Sequence, residues 1–136
     1  MQKLLHEINN QFELEGDSGA APIVSLELFF DGNEEESSIG CNLLNHPGID
    51  VFYETLKRTK QLIEVQDIFV EIYEVEENGW PFSERIYILS TLHQDELMDR
   101  LRVLEPSDIE EGYQFGEPKA APLLEAGMKV YSVWWD

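Results

Sequence analysis

Cationic residues are scarce in this chain: 136 residues carry 9 lysines and arginines against 28 aspartates and glutamates, a formal net charge of −19. Phosphate-rich partners are repelled by such a field, so nucleic acid and anionic membranes are not expected as ligands. A basic protein, or no charged partner at all, is the remaining expectation. Cysteine is equally scarce. Cys41 stands alone, which excludes an intrachain disulfide and suits a reducing, cytoplasmic setting. No apolar run is long enough to span a bilayer, and the opening residues lack the apolar stretch of a signal peptide.

Chemical motifs are also missing. No glycine-rich phosphate loop follows a strand, and Asp31-Gly32-Asn33 is too short and too acidic to be one. HExxH and CxxC patterns are absent, and His6, His46 and His93 do not share helical spacing, so no metal site and no cofactor is expected. Carboxylates are too many for spacing to single out a catalytic pair. Cys41 with His46 or His93 is the one thiol–imidazole combination available. It lies between Ile39 and Leu43 at core parity in an expected strand, which favours a buried, inert thiol.

Hydrophobic patterning is present in abundance. Hydrophobic residues make up 43% and aromatic residues 11%, enough for a single folded domain over residues 1–136. The organising stretch is Gln66–Leu89. Ile68, Val70 and Ile72 alternate with Phe69, Glu71, Tyr73 and Val75; after Glu77-Asn78-Gly79-Trp80, Ile86 and Ile88 alternate with Tyr87 and Leu89. Branched and aromatic residues at period two predict a hairpin at the middle of a sheet. A strand over 23–30 and another over 38–43 are expected to pair as a second hairpin, and 129–135 as the last strand. Helices are predicted over 2–12, from the stripe Leu4, Leu5, Ile8 and Phe12, over 49–62, and from 94 to about 104, with Leu97, Leu101 and Leu104 buried. Thr91 and Gln94 have capping-box spacing. Residues 16–22 read as a small-residue linker. Between 105 and 128, prolines and glycines break any long element, with one helical turn expected at 108–111. Strand, strand, helix then recurs over 24–62 and 67–104. The resulting expectation is an α+β, two-layer sandwich: a mainly antiparallel five-stranded sheet with two helices on one face and an N-terminal helix.

On the second face of that sheet parity collects Glu27, Phe29, Phe69, Glu71, Tyr73, Tyr87, Tyr131 and Trp135. Aromatics mixed with carboxylates suit a protein-binding surface with aromatic anchors and an acidic rim, unless the N-terminal helix and the long loop cover it. Glu27, Phe29, Phe69, Glu71, Tyr73 and Glu74, with Trp80 at the hairpin connection, are the candidate contact residues. Lys57, Arg58 and Lys60 form a basic cluster, in the place where cations complement a helix C-terminus.

Ser38-Ile39-Gly40-Cys41-Asn42, Trp80-Pro81-Phe82-Ser83 and the ending from Gly127 to Asp136 resemble a group of small acidic bacterial proteins without an assigned function. In size, charge and α+β pattern the chain is also similar to immunity proteins of bacterial toxin systems, a likeness carried by no motif. Three functional expectations follow. The first is a non-enzymatic protein-binding domain, such as an immunity-type inhibitor of a basic partner. The second is a small enzyme using His46 and His93 with acidic partners. The third is a structural or regulatory module.

Overall fold

The structure, a computed structural model, describes residues 1–16 and 19–136. Its sheet has five antiparallel strands in the order β1-β2-β3-β5-β4: β1 Ile23–Ser25, β2 Val65–Glu71, β3 Arg85–Ser90, β4 Asp108–Glu111 and β5 Lys129–Trp134. The expected hairpin is its interior. Ile68 lies opposite Ile88 and Val70 opposite Ile86, and all four are fully buried. Among the described residues four α-helices accompany the sheet: α1 Gln2–Glu15, α2 Leu26–Phe30, α3 Ile49–Lys60 and α4 Gln94–Arg100. Leu4 and Ile8 of α1, Phe29 of α2, Phe52 and Leu56 of α3 and Leu97 of α4 join one core cluster with Val70, Ile86 and Val133 of the sheet. The fold is α+β, as expected. The linker expected at 16–22 includes Asp17 and Ser18, which lie outside the described residues.

Several local expectations are corrected. The strand begun at Ile23 ends after three residues, because the Ser25 hydroxyl accepts from the Leu28 N–H at 3.1 Å and caps α2. Residues 26–30 then bury Leu26, Phe29 and Phe30 at helical spacing. No strand forms over 38–43. Glu36–Ser38 is a 3-10 turn, only Ile39 makes a bridge, parallel to Ser83, and Gly40 turns the chain at φ +67°. The first hairpin and the strand-strand-helix repeat are therefore absent, and Cys41 is exposed rather than buried. The fifth strand is instead β4, expected as a helical turn; Ile109 is its one buried residue, opposite Val133. His93, not Thr91, caps α4, its Nδ1 accepting from the Asp95 N–H at 3.2 Å. Leu97, Leu101 and Leu104 are buried as expected.

Helix α1 faces inward through Leu4, Ile8, Gln11 and Glu15, while Phe12, expected in the buried stripe, is half exposed. Gln11 explains the rotation. Its side-chain amide donates to the Ile23 carbonyl (2.6 Å) and accepts from the Ile23 N–H (2.8 Å). The free edge of β1 is thereby closed by a side chain that imitates a neighbouring strand. Gln11→Ala would leave two buried backbone groups unpaired, and a loss of about 2 kcal/mol is expected. A urea midpoint equal to that of the parent chain would refute this role.

Candidate functional site

The second sheet face carries its own small cluster: Ile23, Phe69, Tyr87, Leu89 and Val130, with Tyr113 and Ala121 packed against them. The segment after β4, rather than α1, supplies that cover. Tyr131 and Trp135, expected on this face, belong to the larger core instead; β5 sets Tyr131 opposite Ile88 and Val133 opposite Ile86, which turns the Tyr131 parity toward the helices. In that segment Phe115, Leu123 and Leu124 are exposed, while Tyr113 packs with its ring centre 5.0 Å from that of Tyr87.

A polar group is set into this face. Glu71 lies directly opposite Arg85 across the hairpin, and the Arg85 Nε stands 3.6 Å from Glu71 Oε2. Arg85 also donates to the Ser132 hydroxyl, and its guanidinium lies 4.8 Å from the Trp134 ring centre and 5.1 Å from that of Phe115. Burial pushes the Glu71 carboxyl above the ordinary carboxylate range, while a hydrogen bond with Tyr87 and the Arg85 charge pull it back; the nearby Glu84 charge adds to the rise. Burial, with the bond to Glu71, raises the Tyr87 phenol well above its usual value. Glu71 Oε2 has no hydrogen-bond partner among the described residues, so at that oxygen the neighbouring charge alone offsets desolvation.

Beyond the regular strands the hairpin continues as a Glu74–Phe82 bridge. Tyr73 there is 65% exposed, with Glu74, Val75, Glu76 and Glu77 exposed beside it. No ion pair among the described residues involves Glu74, Glu76, Glu77 or Glu84. Beside Tyr73 opens a cavity of about 240 Å³ lined by Ser37, Cys41, Tyr73, Glu74, Phe82 and Glu84.

The candidate contact residues therefore divide. Tyr73 and Glu74 come together at the exposed cavity. Phe29 and Phe69 are buried, on opposite sides of the sheet. Glu71 is buried against Arg85, and Glu27 is exposed with the Lys60 ammonium 3.7 Å away. Trp80 is half-buried, its indole donating to the Phe29 carbonyl at 2.9 Å, which ties the hairpin connection to α2. The basic cluster is used internally: Lys57 and Arg58 face Glu54, and Lys60 faces Glu27 and Asp67. Sequence reading missed Arg85, Ser132, Trp134, Phe82 and Glu84. The hairpin register would have revealed Arg85, since it sets the arginine opposite Glu71; the others meet only through non-local packing.

The two histidines do not meet. His46 Nε2 bonds the Ile39 carbonyl at 2.7 Å, and Ile39 bridges Ser83, just before β3. His93 follows the other end of β3, so the strand's length, roughly 20 Å, separates them. No group of three or more His, Cys, Asp or Glu side chains among the described residues is arranged to hold a metal ion. No helix among them is long and apolar enough to cross a membrane.

The chain is 25% identical over 137 residues to the uncharacterized protein YfbO of Escherichia coli (strain K12), covering all of this chain and 98% of that one. No solved structure matches. The family model described as "Uncharacterized protein YfbO family" matches residues 1–133, and the chain belongs to that family.

Proposed function

We propose that this is a non-enzymatic binding domain, acting in the cytoplasm, whose acidic hairpin extension docks a basic protein. One observation carries the reading: the exposed Tyr73 ring stands among carboxylates, Glu74, Glu76 and Glu77, that no cation of the described chain neutralises. An exposed aromatic ring within a negative rim has the composition of a contact anchor with steering charge around it. The overall charge of −19 extends that field. An inhibitor of the immunity type, which neutralises a basic toxin, is the finer form of this reading. The charge would act in the encounter and the ring in the residence time.

The test uses a basic partner captured from native lysate. Its association should slow about tenfold as salt rises from low to physiological strength. Glu76→Gln with Glu77→Gln should reduce the association rate further, and Tyr73→Ala should raise the dissociation rate. Binding that ignores both salt and these substitutions would overturn the proposal.

A further inference from the structure

We infer that the cavity beside Tyr73 is a socket for one arginine side chain of the basic partner, held between the Glu74 and Glu84 carboxylates and the Tyr73 and Phe82 rings. The inference rests on the binding reading above and adds the group that is recognised. The cavity volume of about 240 Å³ lies below the range of pockets for drug-sized ligands and suits a single side chain. Its walls are tied together by the backbone. Tyr73 N–H donates to the Phe82 carbonyl (2.7 Å), Phe82 N–H to the Glu74 carbonyl (2.8 Å), and Ser83 N–H to the Ser38 carbonyl (2.7 Å), which brings the Ser37–Cys41 segment alongside. A socket already ordered loses little entropy when filled.

The chemistry of the walls selects a cation. Glu84 is half-buried and has no cation within ion-pair distance among the described residues; a partly desolvated carboxylate gains most from a charge-assisted partner. Arg85, next in sequence, cannot serve, since it is engaged by Glu71 and Ser132. Aromatic faces favour a guanidinium over an ammonium, because the planar group stacks and forks onto carboxylates at once.

Cys41 supplies a local reporter, being exposed and in the cavity wall. The full chain would be alkylated with neutral iodoacetamide at physiological salt, with and without a capped peptide that alternates arginine and glycine. The arginine peptide should slow alkylation of Cys41 about tenfold, and its citrulline counterpart should not. Glu74→Gln with Glu84→Gln should abolish the protection, whereas Glu64→Gln with Glu96→Gln, the same charge change at exposed positions outside the cavity wall, should preserve it. Equal loss in both pairs, or equal protection by the citrulline peptide, would overturn the socket. Salt-dependent binding of the native partner that survives Glu74→Gln with Glu84→Gln would also overturn it while leaving the broader binding reading intact.

Discussion

Replacing Arg85 with alanine is expected to cost about 3–5 kcal/mol of folding stability, the size of effect seen when one member of a buried ion pair is removed. The side chains of Arg85 and Glu71 are 17% and 11% exposed. Glu71 Oε2 has no hydrogen bond to fall back on among the described residues. The substitution also strips the contacts of the guanidinium with Trp134, Phe115 and Ser132. The penalty should depend on pH with a definite sign. Burial holds the folded-state carboxyl of Glu71 above its ordinary value, and loss of the arginine raises it further. A group raised in the folded state favours folding when protonated, and that contribution is lost as pH rises through the folded-state value. The deficit of Arg85→Ala should therefore be largest at neutral pH and shrink as pH falls into the carboxylate range. Urea unfolding at neutral and mildly acidic pH would show it. Arg85→Met with Glu71→Leu, which removes both charges, should recover much of the loss. A deficit independent of pH, or a double substitution as damaging as the single one, would show that the pair is not what stabilises this face.

Gly40→Ala is the second large effect, at about 2–4 kcal/mol, combining left-handed backbone strain with overpacking. Gly40 has φ +67°, and a Cβ there would stand 2.8 Å from Phe52 Cζ. Phe52 cannot easily give way. It is fully buried, its ring centre 5.4 Å from that of Trp135 and 5.1 Å from that of His46. Gly32→Ala provides the internal standard. Gly32 also has positive φ (+76°), but nothing lies within 4 Å of its added carbon, so it should lose only the strain, about 1 kcal/mol. Thermal unfolding of the two variants side by side separates the contributions. Equal shifts in Tm would mean that Phe52 accommodates the methyl group. The same glycine explains why 38–43 is not a strand. The alternation of Ile39, Cys41 and Leu43 is genuine, but it runs across a turn closed by the Leu43 N–H on the Gly40 carbonyl at 3.0 Å, so it describes no continuous face.

Legibility of the candidate site followed the range of the interactions involved. Exposure of Tyr73 and Glu74 could be anticipated in outline, because the hairpin extension runs into a polar turn where apolar alternation gives out. The burial of Phe29 could not. Counted at period two, 24–30 is as good a strand as 67–75, and one serine hydroxyl on the Leu28 N–H turns it into a helix. The cover on the second sheet face was equally hidden. It depends on Tyr113 meeting Tyr87 and on the Lys119 N–H meeting Glu15, 104 positions away.

The chain's own residues determined the acidic field, the interior hairpin, and the inward faces of α3 and α4. Each is written in composition or in a period of two or about 3.6 within a short stretch. Only the tertiary structure decided which parity of β5 meets the helices, that β4 rather than 38–43 completes the sheet, and that Glu71 spends its charge on Arg85. Those outcomes are questions of register and of partners distant in sequence. A shift of one residue in register exchanges the two faces of a strand, and nothing local in Lys129–Trp134, apolar or aromatic on both faces, says which face the core will take.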